Sequence, residues 1–335
     1  MTGVDWTHDE PDLSVVIVSW NTRDLLDSCL ASVRDFPAVG LRHEVIVVDN
    51  GSADASGQLV RDNWPQVTLI ENSCNEGYQR ANNQGMAVAR GRDILLLNAD
   101  AQLTPGCLDL LVERLRSDHR AGVVAPRLVY GDGSWQRWTA GNEPTLFGAA
   151  AFFLMVERIS RRAADRSLWL ARDTDQPFTP SWVSSACLLI RRAVLDDTGP
   201  MDERFFAYMD DVDLCRLARL HGWTVWYEPR CASIHLMGQS TRRQTGTASP
   251  LALRNFNRYF ATRNSAASTA VLQAVEALGF IARAGAHALL GVVGNAHHRC
   301  ASRSQLRNAR IALEPIRVQQ QPSRNPTTTP VMEPS

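Results

Sequence analysis

Four short apolar runs, separated from one another by helical patterns, constrain the fold of this chain more than any other feature. Leu13 to Ser19 reads LSVVIVS, a β-branched run of the kind buried on both faces of a parallel sheet. A polar turn, Trp20-Asn21-Thr22, leads into Leu25, Leu26, Cys29, Leu30 and Val33 at helical spacing. The alternation returns with residues 44–48 as strand, 52–63 as helix, 67–70 as strand, 81–90 as helix and 94–97 as strand. Strands and helices alternating at this spacing predict right-handed βαβ units, hence an α/β fold with a mostly parallel central sheet flanked by helices. Ligands of such sheets bind beyond the carboxyl ends of the strands.

Beyond Pro105 a helix over residues 106–117 and a strand over 123–125 are expected. Periodicity then fails from residue 130 to residue 180, a stretch rich in Trp and Phe that reads as a long excursion, a lid or acceptor loop. Order resumes with residues 182–190, a helix over 193–197 ended by Gly199-Pro200, a helix over 212–220 closed by His221-Gly222, and strands at 224–227 and 233–235. Residues 266–293 form a small-residue, weakly amphipathic helical region. The polar tail after Val318 cannot bury enough apolar surface to order itself.

Composition removes several chemistries. The chain has 335 residues, enough for a self-sufficient core, and all 35 of its basic residues are arginine. Without lysine there is no Walker-A phosphate loop, no pyridoxal enzyme and no Schiff-base aldolase. A formal net charge of zero argues against a nucleic-acid binder working through a basic field. The seven cysteines are widely spaced with no C-x-x-C pair, and read as reduced small hydrophobes of a cytoplasmic protein. No apolar run precedes the first strand as a secretory signal, and no uninterrupted apolar stretch of about twenty residues spans a bilayer.

The first strand is not followed by G-x-G-x-x-G, so a Rossmann dinucleotide enzyme would lack its pyrophosphate cradle. Carboxylates and amides stand at the strand ends instead: Asp49-Asn50, then Asn72 and Asn75, then Asn98-Ala99-Asp100. Asp and Asn also favour turns and N-caps, but their recurrence at three successive strand ends points to a ligand site. There, one carboxylate suits a base or ribose and another a divalent cation. Met209-Asp210-Asp211-Val212-Asp213 opens a helix. The macrodipole stabilises acids in a first turn by roughly 0.3 to 1 kcal/mol. Adjacent carboxylates 4 Å apart at an effective dielectric near 20 repel by up to about 4 kcal/mol, which capping hardly offsets. Such crowding raises one pKa and suits a general base. His235 ends an apolar strand, and its role turns on whether it converges with Asp100.

These motifs, in order, resemble those of the family-2 inverting glycosyltransferases with the GT-A fold, in particular the rhamnosyltransferase-like branch. They are residues 14–21 (SVVIVSWN), 47–54 (VVDNGSAD), 75–78 (NEGY) with Asn82-Asn83, 97–100 (LNAD), 205–215 (FFAYMDDVDLC) and His235. The resemblance covers about residues 13–260. It implies that Asp49 contacts the base or ribose of a nucleotide-sugar, with Ser19, Asn21, Asn50, Asn75, Gly77 and Asn98 also donor-binding. It implies that Asp100 is the surviving carboxylate of a metal-binding D-x-D element whose first position is Asn98, and that His235 completes the metal site. Asp211 matches the catalytic base and Asp210 the acid before it. The resemblance further implies Mn²⁺ or Mg²⁺ as the cation, a nucleoside-diphosphate sugar and a glycan or polyprenyl-linked acceptor of the cell envelope as partners, and inversion of the anomeric configuration. Rival readings are a sugar-nucleotidyltransferase and a non-catalytic nucleotide- or glycan-binding module of the same fold.

The expected organisation is a disordered stretch 1–12, a GT-A domain 13–260 with a nucleotide-sugar half (13–129) and an acceptor half (130–260), a helical extension 261–317 and a disordered tail 318–335. The apolar segment Leu146 to Val156 and residues 266–293 suggest packing helices or a surface-lying membrane contact, with Arg254, Arg258, Arg263 and Arg283 facing headgroups. Peripheral attachment to the inner face of the plasma membrane is expected.

Overall fold

A computed structural model describes residues 10–170, 173–236, 250–291 and 296–316. Its centre is an eight-stranded sheet in the order β3-β2-β1-β4-β9-β6-β10-β5. The strands are β1 (Leu13–Ser19), β2 (His43–Asp49), β3 (Thr68–Glu71), β4 (Asp93–Asn98), β5 (Ala101–Leu103), β6 (Ala121–Val129), β9 (Cys187–Arg191) and β10 (Thr224–His235). A two-stranded ribbon pairs β7 (Ala140–Gly141) with β8 (Trp182–Val183). β1 to β4 pair in parallel, as expected, and β6 pairs in parallel with β10. β9 runs antiparallel between β4 and β6, and β5 antiparallel beside β10.

Alternation along β1 sends Leu13, Val15 and Ile17 into one apolar layer and Val16 into the other, all four without exposure. Fully burying each stabilises the fold by about 1.5–3 kcal/mol. The first layer is closed by α1 (Arg23–Asp35), α2 (Ser56–Asn63) and α4 (Cys107–Ser117). The other is closed by α3 (Tyr78–Val88), α7 (Arg192–Thr198), α8 (Asp210–Leu220) and the C-terminal helices. Cys74 and Cys300 are exposed; the other five cysteines are buried and none of the seven is paired.

Several boundaries differ from the sequence reading. α2 starts at Ser56 rather than residue 52, because Ala55 adopts a left-handed φ of 65° and Asp54 accepts from the Ser56 amide. The two short strands expected at 224–227 and 233–235 are one strand, β10, with a register shift between Glu228 and Ala232. The aperiodic stretch 130–180 contains α5 (Leu146–Phe153) and the short α6 (Arg161–Ala164). α5 is apolar on all sides, so it carries no helical period to read. Asp12, within the stretch expected to be disordered, pairs with Arg42 at 3.1 Å. The tail 318–335 lies outside the described residues.

Three helices end the described chain: α9 (Pro250–Ala261), α10 (Ala266–Gly291) and α11 (Ala296–Ala312). α10 and α11 pack along one another, and α5 packs on α10, with Phe153 and Phe280 edge to face at 5.5 Å. The four arginines expected to face headgroups are engaged within the protein. Arg254 pairs with Glu314 at 2.7 Å, Arg258 donates to the Arg204 carbonyl, Arg263 pairs with Asp213, and Arg283 donates to the Phe152 carbonyl. Each found a carbonyl or carboxylate created by tertiary packing, which spacing along the chain does not reveal.

Candidate active site

The parallel register sets the site. Ser19 pairs with Asp49 across β1 and β2, and Val18 with Asn98 across β1 and β4. Asp49 and Asn98 therefore end strands two positions apart on one sheet edge, about 10 Å from each other. β10 returns to the same edge, where the Leu236 amide donates to the Asp100 carbonyl at 2.9 Å.

Asp100 Oδ1 lies 3.3 Å from His235 Nε2, so the two predicted cation ligands converge. Gln136, fully buried, decides the state of that imidazole. Its Nε2 donates to the carbonyls of Val129 and His235, leaving Oε1 as an acceptor 3.1 Å from His235 Nδ1. Nδ1 must then carry the hydrogen, and Nε2 of the neutral ring turns its lone pair toward the Asp100 carboxylate. Two lone pairs at that distance repel unless a positive charge, a proton or a cation, sits with them. Carboxylate plus imidazole is a donor set that fits Mn²⁺ or Mg²⁺. Among the described residues no third His, Cys, Asp or Glu joins them, so the rest of a cation's coordination is open.

Tyr78 links this corner to the acidic turn. Its hydroxyl donates to Asn98 Oδ1 at 2.8 Å and lies 3.4 Å from the Ser185 carbonyl. Ser185 Oγ donates to Asp210 Oδ2 at 2.6 Å, and Gln79 Nε2 reaches the Tyr208 carbonyl at 3.1 Å and Asp210 Oδ1 at 3.5 Å. Asp210 is thus buried with both oxygens bound by side-chain donors, whereas the partly exposed Asp211 is held by backbone amides alone among the described residues, that of Val212 at 2.8 Å and that of Ser185. Burial raises the pKa of both, and the Asp210 charge beside it pushes Asp211 well above the usual carboxylate range. Tyr208 and Met209 hold left-handed φ values of 67° and 68° immediately before α8. Strain of this kind persists only where surroundings over-determine it; here Gln79 grips Tyr208, and Phe206 accepts from the Tyr78 amide at 2.7 Å.

The remaining predicted residues divide into a scaffold and an open edge. Asn50 is buried with every polar atom engaged: it donates to Asn75 Oδ1 and the Gly77 carbonyl, and accepts from Asn72 and the Glu76 amide. Gly77 has φ 95°, and a Cβ there would meet the Phe206 carbonyl at 2.8 Å, so only glycine lets these two loops touch. Ser19 is fully buried with its hydroxyl on Thr22 at 2.9 Å. Asn50, Gly77 and Ser19 therefore shape the edge; the Asn50 and Ser19 side chains do not reach into it. Asn75 is half-buried, its Oδ1 bound by Asn50 and the Gly77 amide. Asn21 is exposed, its Oδ1 accepting from the Ala53 amide at 2.8 Å. Asp49 is held by the Ser52 amide at 3.2 Å, and Gly57 leaves room beside its Oδ2.

Sequence reasoning missed Gln136, Ser185, Gln79 and the Tyr78 side chain. Tyr78 ends the quoted motif 75–78 and Gln79 follows it, which is the signal that was available. Gln136 and Ser185 come from irregular chain and carried none.

The family comparison now adds to this geometry. The model of glycosyl transferase family 2 matches residues 14–198. The chain belongs to that family. An N-acetylglucosaminyl-diphospho-decaprenol L-rhamnosyltransferase of Mycobacterium tuberculosis is 30% identical over 247 residues, covering 69% of this chain and 78% of its own. Among solved structures, a mannosyltransferase from Pyrobaculum calidifontis in complex with GDP-Man and Mn²⁺ superposes with a TM-score of 0.54 at 18% identity, covering 92% of this chain and 87% of that one. GalNAc-T7 with UDP, GalNAc and Mn²⁺ gives 0.53 at 16% identity, over 75% of this chain and 48% of its own. These likenesses establish the GT-A fold of this glycosyltransferase.

Proposed function

We propose that this glycosyltransferase moves rhamnose, with inversion, from a nucleoside diphosphate to a polyprenyl-diphosphate-linked acceptor, with the help of a divalent cation. The observation that supports the reading is the run of contacts from Asn98, two residues before Asp100, through Tyr78 and Ser185 to Asp210, with the Asp100–His235 pair at one end of it and a carboxylate of raised pKa, Asp211, at the other. The sugar and the lipid-linked acceptor follow the relative from M. tuberculosis.

Asp49 would take the base or ribose of the donor, with Asn21 and Asn75 beside it. Asn98, whose Oδ1 is held by Tyr78, keeps its amide nitrogen for donor oxygens. A cation bound by Asp100 and His235 would offset the charge that grows on the departing diphosphate. Asp211 takes the proton of the acceptor hydroxyl, which attacks the anomeric carbon from the face opposite the diphosphate. Inversion follows from that single displacement. Asp210, with its oxygens bound inside the protein, positions the turn and keeps Asp211 basic through its charge. The nucleotidyltransferase alternative has no glycine-rich basic loop after β1 to support it.

Thermal stabilisation by a panel of nucleotide-sugars, with and without Mn²⁺, tests donor choice, because a ligand that binds only the native form raises the melting point. Stabilisation by a nucleoside diphosphate-rhamnose that strengthens with Mn²⁺ is expected. A panel in which none stabilises would overturn the reading.

A further inference from the structure

The C-terminal hairpin is at odds with the rest of the molecule. Residues 266–312 hold five arginines and a single acid, Glu276, in a chain whose formal net charge is zero. Glu276 is fully buried, so the outside of the hairpin carries positive charge alone. Every residue of α10 from 266 to 290 that is exposed is Ala, Gly, Val, Leu or Ile, over about 36 Å of helix. At about 100° per residue, Val271, Leu278 and Leu289 point within roughly 20° of one another. Leu278 is 60% exposed and Leu289 75%. On α11, Arg303, Arg307 and Arg310 are exposed at i, i+4 and i+7, with Leu306 exposed among them. Near α10, the chain after α5 adds Ile159, 88% exposed, next to Arg158, which is close enough to Arg283 to repel its charge.

A solvated surface helix would show polar residues on this face, and contiguous exposed apolar surface of this length marks an interaction site. No helix among the described residues is long and apolar enough to cross a membrane. We propose that the outer face of α10, together with Arg303, Arg307 and Arg310 of α11, seats the enzyme on an anionic lipid surface. Apolar side chains enter the acyl boundary while guanidinium groups meet phosphate headgroups. A second copy docked through the same face would bring two rows of arginine together, which the charge pattern disfavours. The purpose of the face rests on the lipid-linked acceptor proposed above, but its binding is measured without acceptor or donor, so the two readings fail separately.

The test is flotation of the full chain with phosphatidylglycerol-containing vesicles and with pure phosphatidylcholine vesicles, at low and high salt. Binding to the anionic vesicles that weakens with salt is expected. Each arginine near an anionic surface supplies about fivefold, so Arg303→Ala, Arg307→Ala and Arg310→Ala combined lose about a hundredfold. Leu278→Gln with Ile281→Gln abolishes binding, while Asp211→Asn binds as the parent does. Melting curves confirm that the exposed arginine variants remain folded. The proposal is overturned if the full chain stays unbound, if the variants bind as the parent does, or if light scattering finds a dimer that Leu278→Gln with Ile281→Gln dissociates.

Discussion

Gln136 grips His235 at two points, accepting from the ring at Nδ1 and donating to the backbone carbonyl, and so leaves the imidazole one neutral tautomer. Outer-shell partners of metal-binding histidines are worth about 10–100-fold in metal affinity. Gln136→Leu is therefore expected to raise the Mn²⁺ concentration for half-maximal transfer by about that factor, with activity rescued at high Mn²⁺. Loss of activity that no Mn²⁺ concentration restores would show that Gln136 acts only on folding.

Asp211 separates stability from activity. Its folded pKa lies well above the unfolded value, so its contribution to stability is full below the unfolded pKa and is lost as pH rises through the folded one. Above the unfolded pKa the native state therefore bears a penalty that a neutral side chain at this position would not. Asp211→Asn removes it, and is expected to melt a few degrees higher while losing about 10²- to 10⁴-fold in turnover. Donor affinity should stay within a few-fold. The parent's activity should fall on the acid side at a pH well above the ordinary carboxylate range, and turnover by the variant equal to the parent's would remove the base assignment.

Asp49 owes the room beside its carboxylate to Gly57, which has no side chain to fill it. A Cβ on Gly57 would lie 2.9 Å from Asp49 Oδ2 and 2.5 Å from Glu71 Oε1. Gly57→Ala should push the carboxylate off its position and raise the donor KM by about tenfold with kcat little changed, since donor contacts remote from the reacting bond act on ground state and transition state alike. An unchanged KM would mean that Asp49 does not touch the donor.

The sheet edge was legible because β-branched runs and their terminal Asp and Asn residues are local signals, and a parallel register brings such ends together automatically. Asp49, Asn98 and Asp100 needed nothing more. The functions of Asn50 and Asp210 were less legible: both stand at a strand end or helix start as donor-binding and catalytic residues would, yet their side chains are consumed by partners 22 residues away and more. Gln136 lay in the stretch where periodicity failed, 99 residues before His235. The arginines at 254, 258, 263 and 283 were misread for the same reason, since a tertiary carbonyl has no sequence signature.

Glu276 gives the C-terminal hairpin a pH limit. It lies in α10 with neither carboxyl oxygen hydrogen-bonded, near Asn257, whose own Oδ1 is unpartnered, and burial raises its pKa to about 8. The sign is that of a raised carboxylate: stability is full below the unfolded pKa, is lost as pH rises toward about 8 because the unfolded state ionises first, and levels off above that value. Between pH 7 and 9 the loss is about 1 to 2 kcal/mol, which lowers the melting point by a few degrees. Glu276→Gln should abolish that alkaline loss while leaving turnover unchanged, because the residue lies in the helical extension and not on the sheet edge that carries the site. Melting curves across this pH range decide the matter: parallel curves for the two proteins would mean that Glu276 finds a partner or water when it ionises.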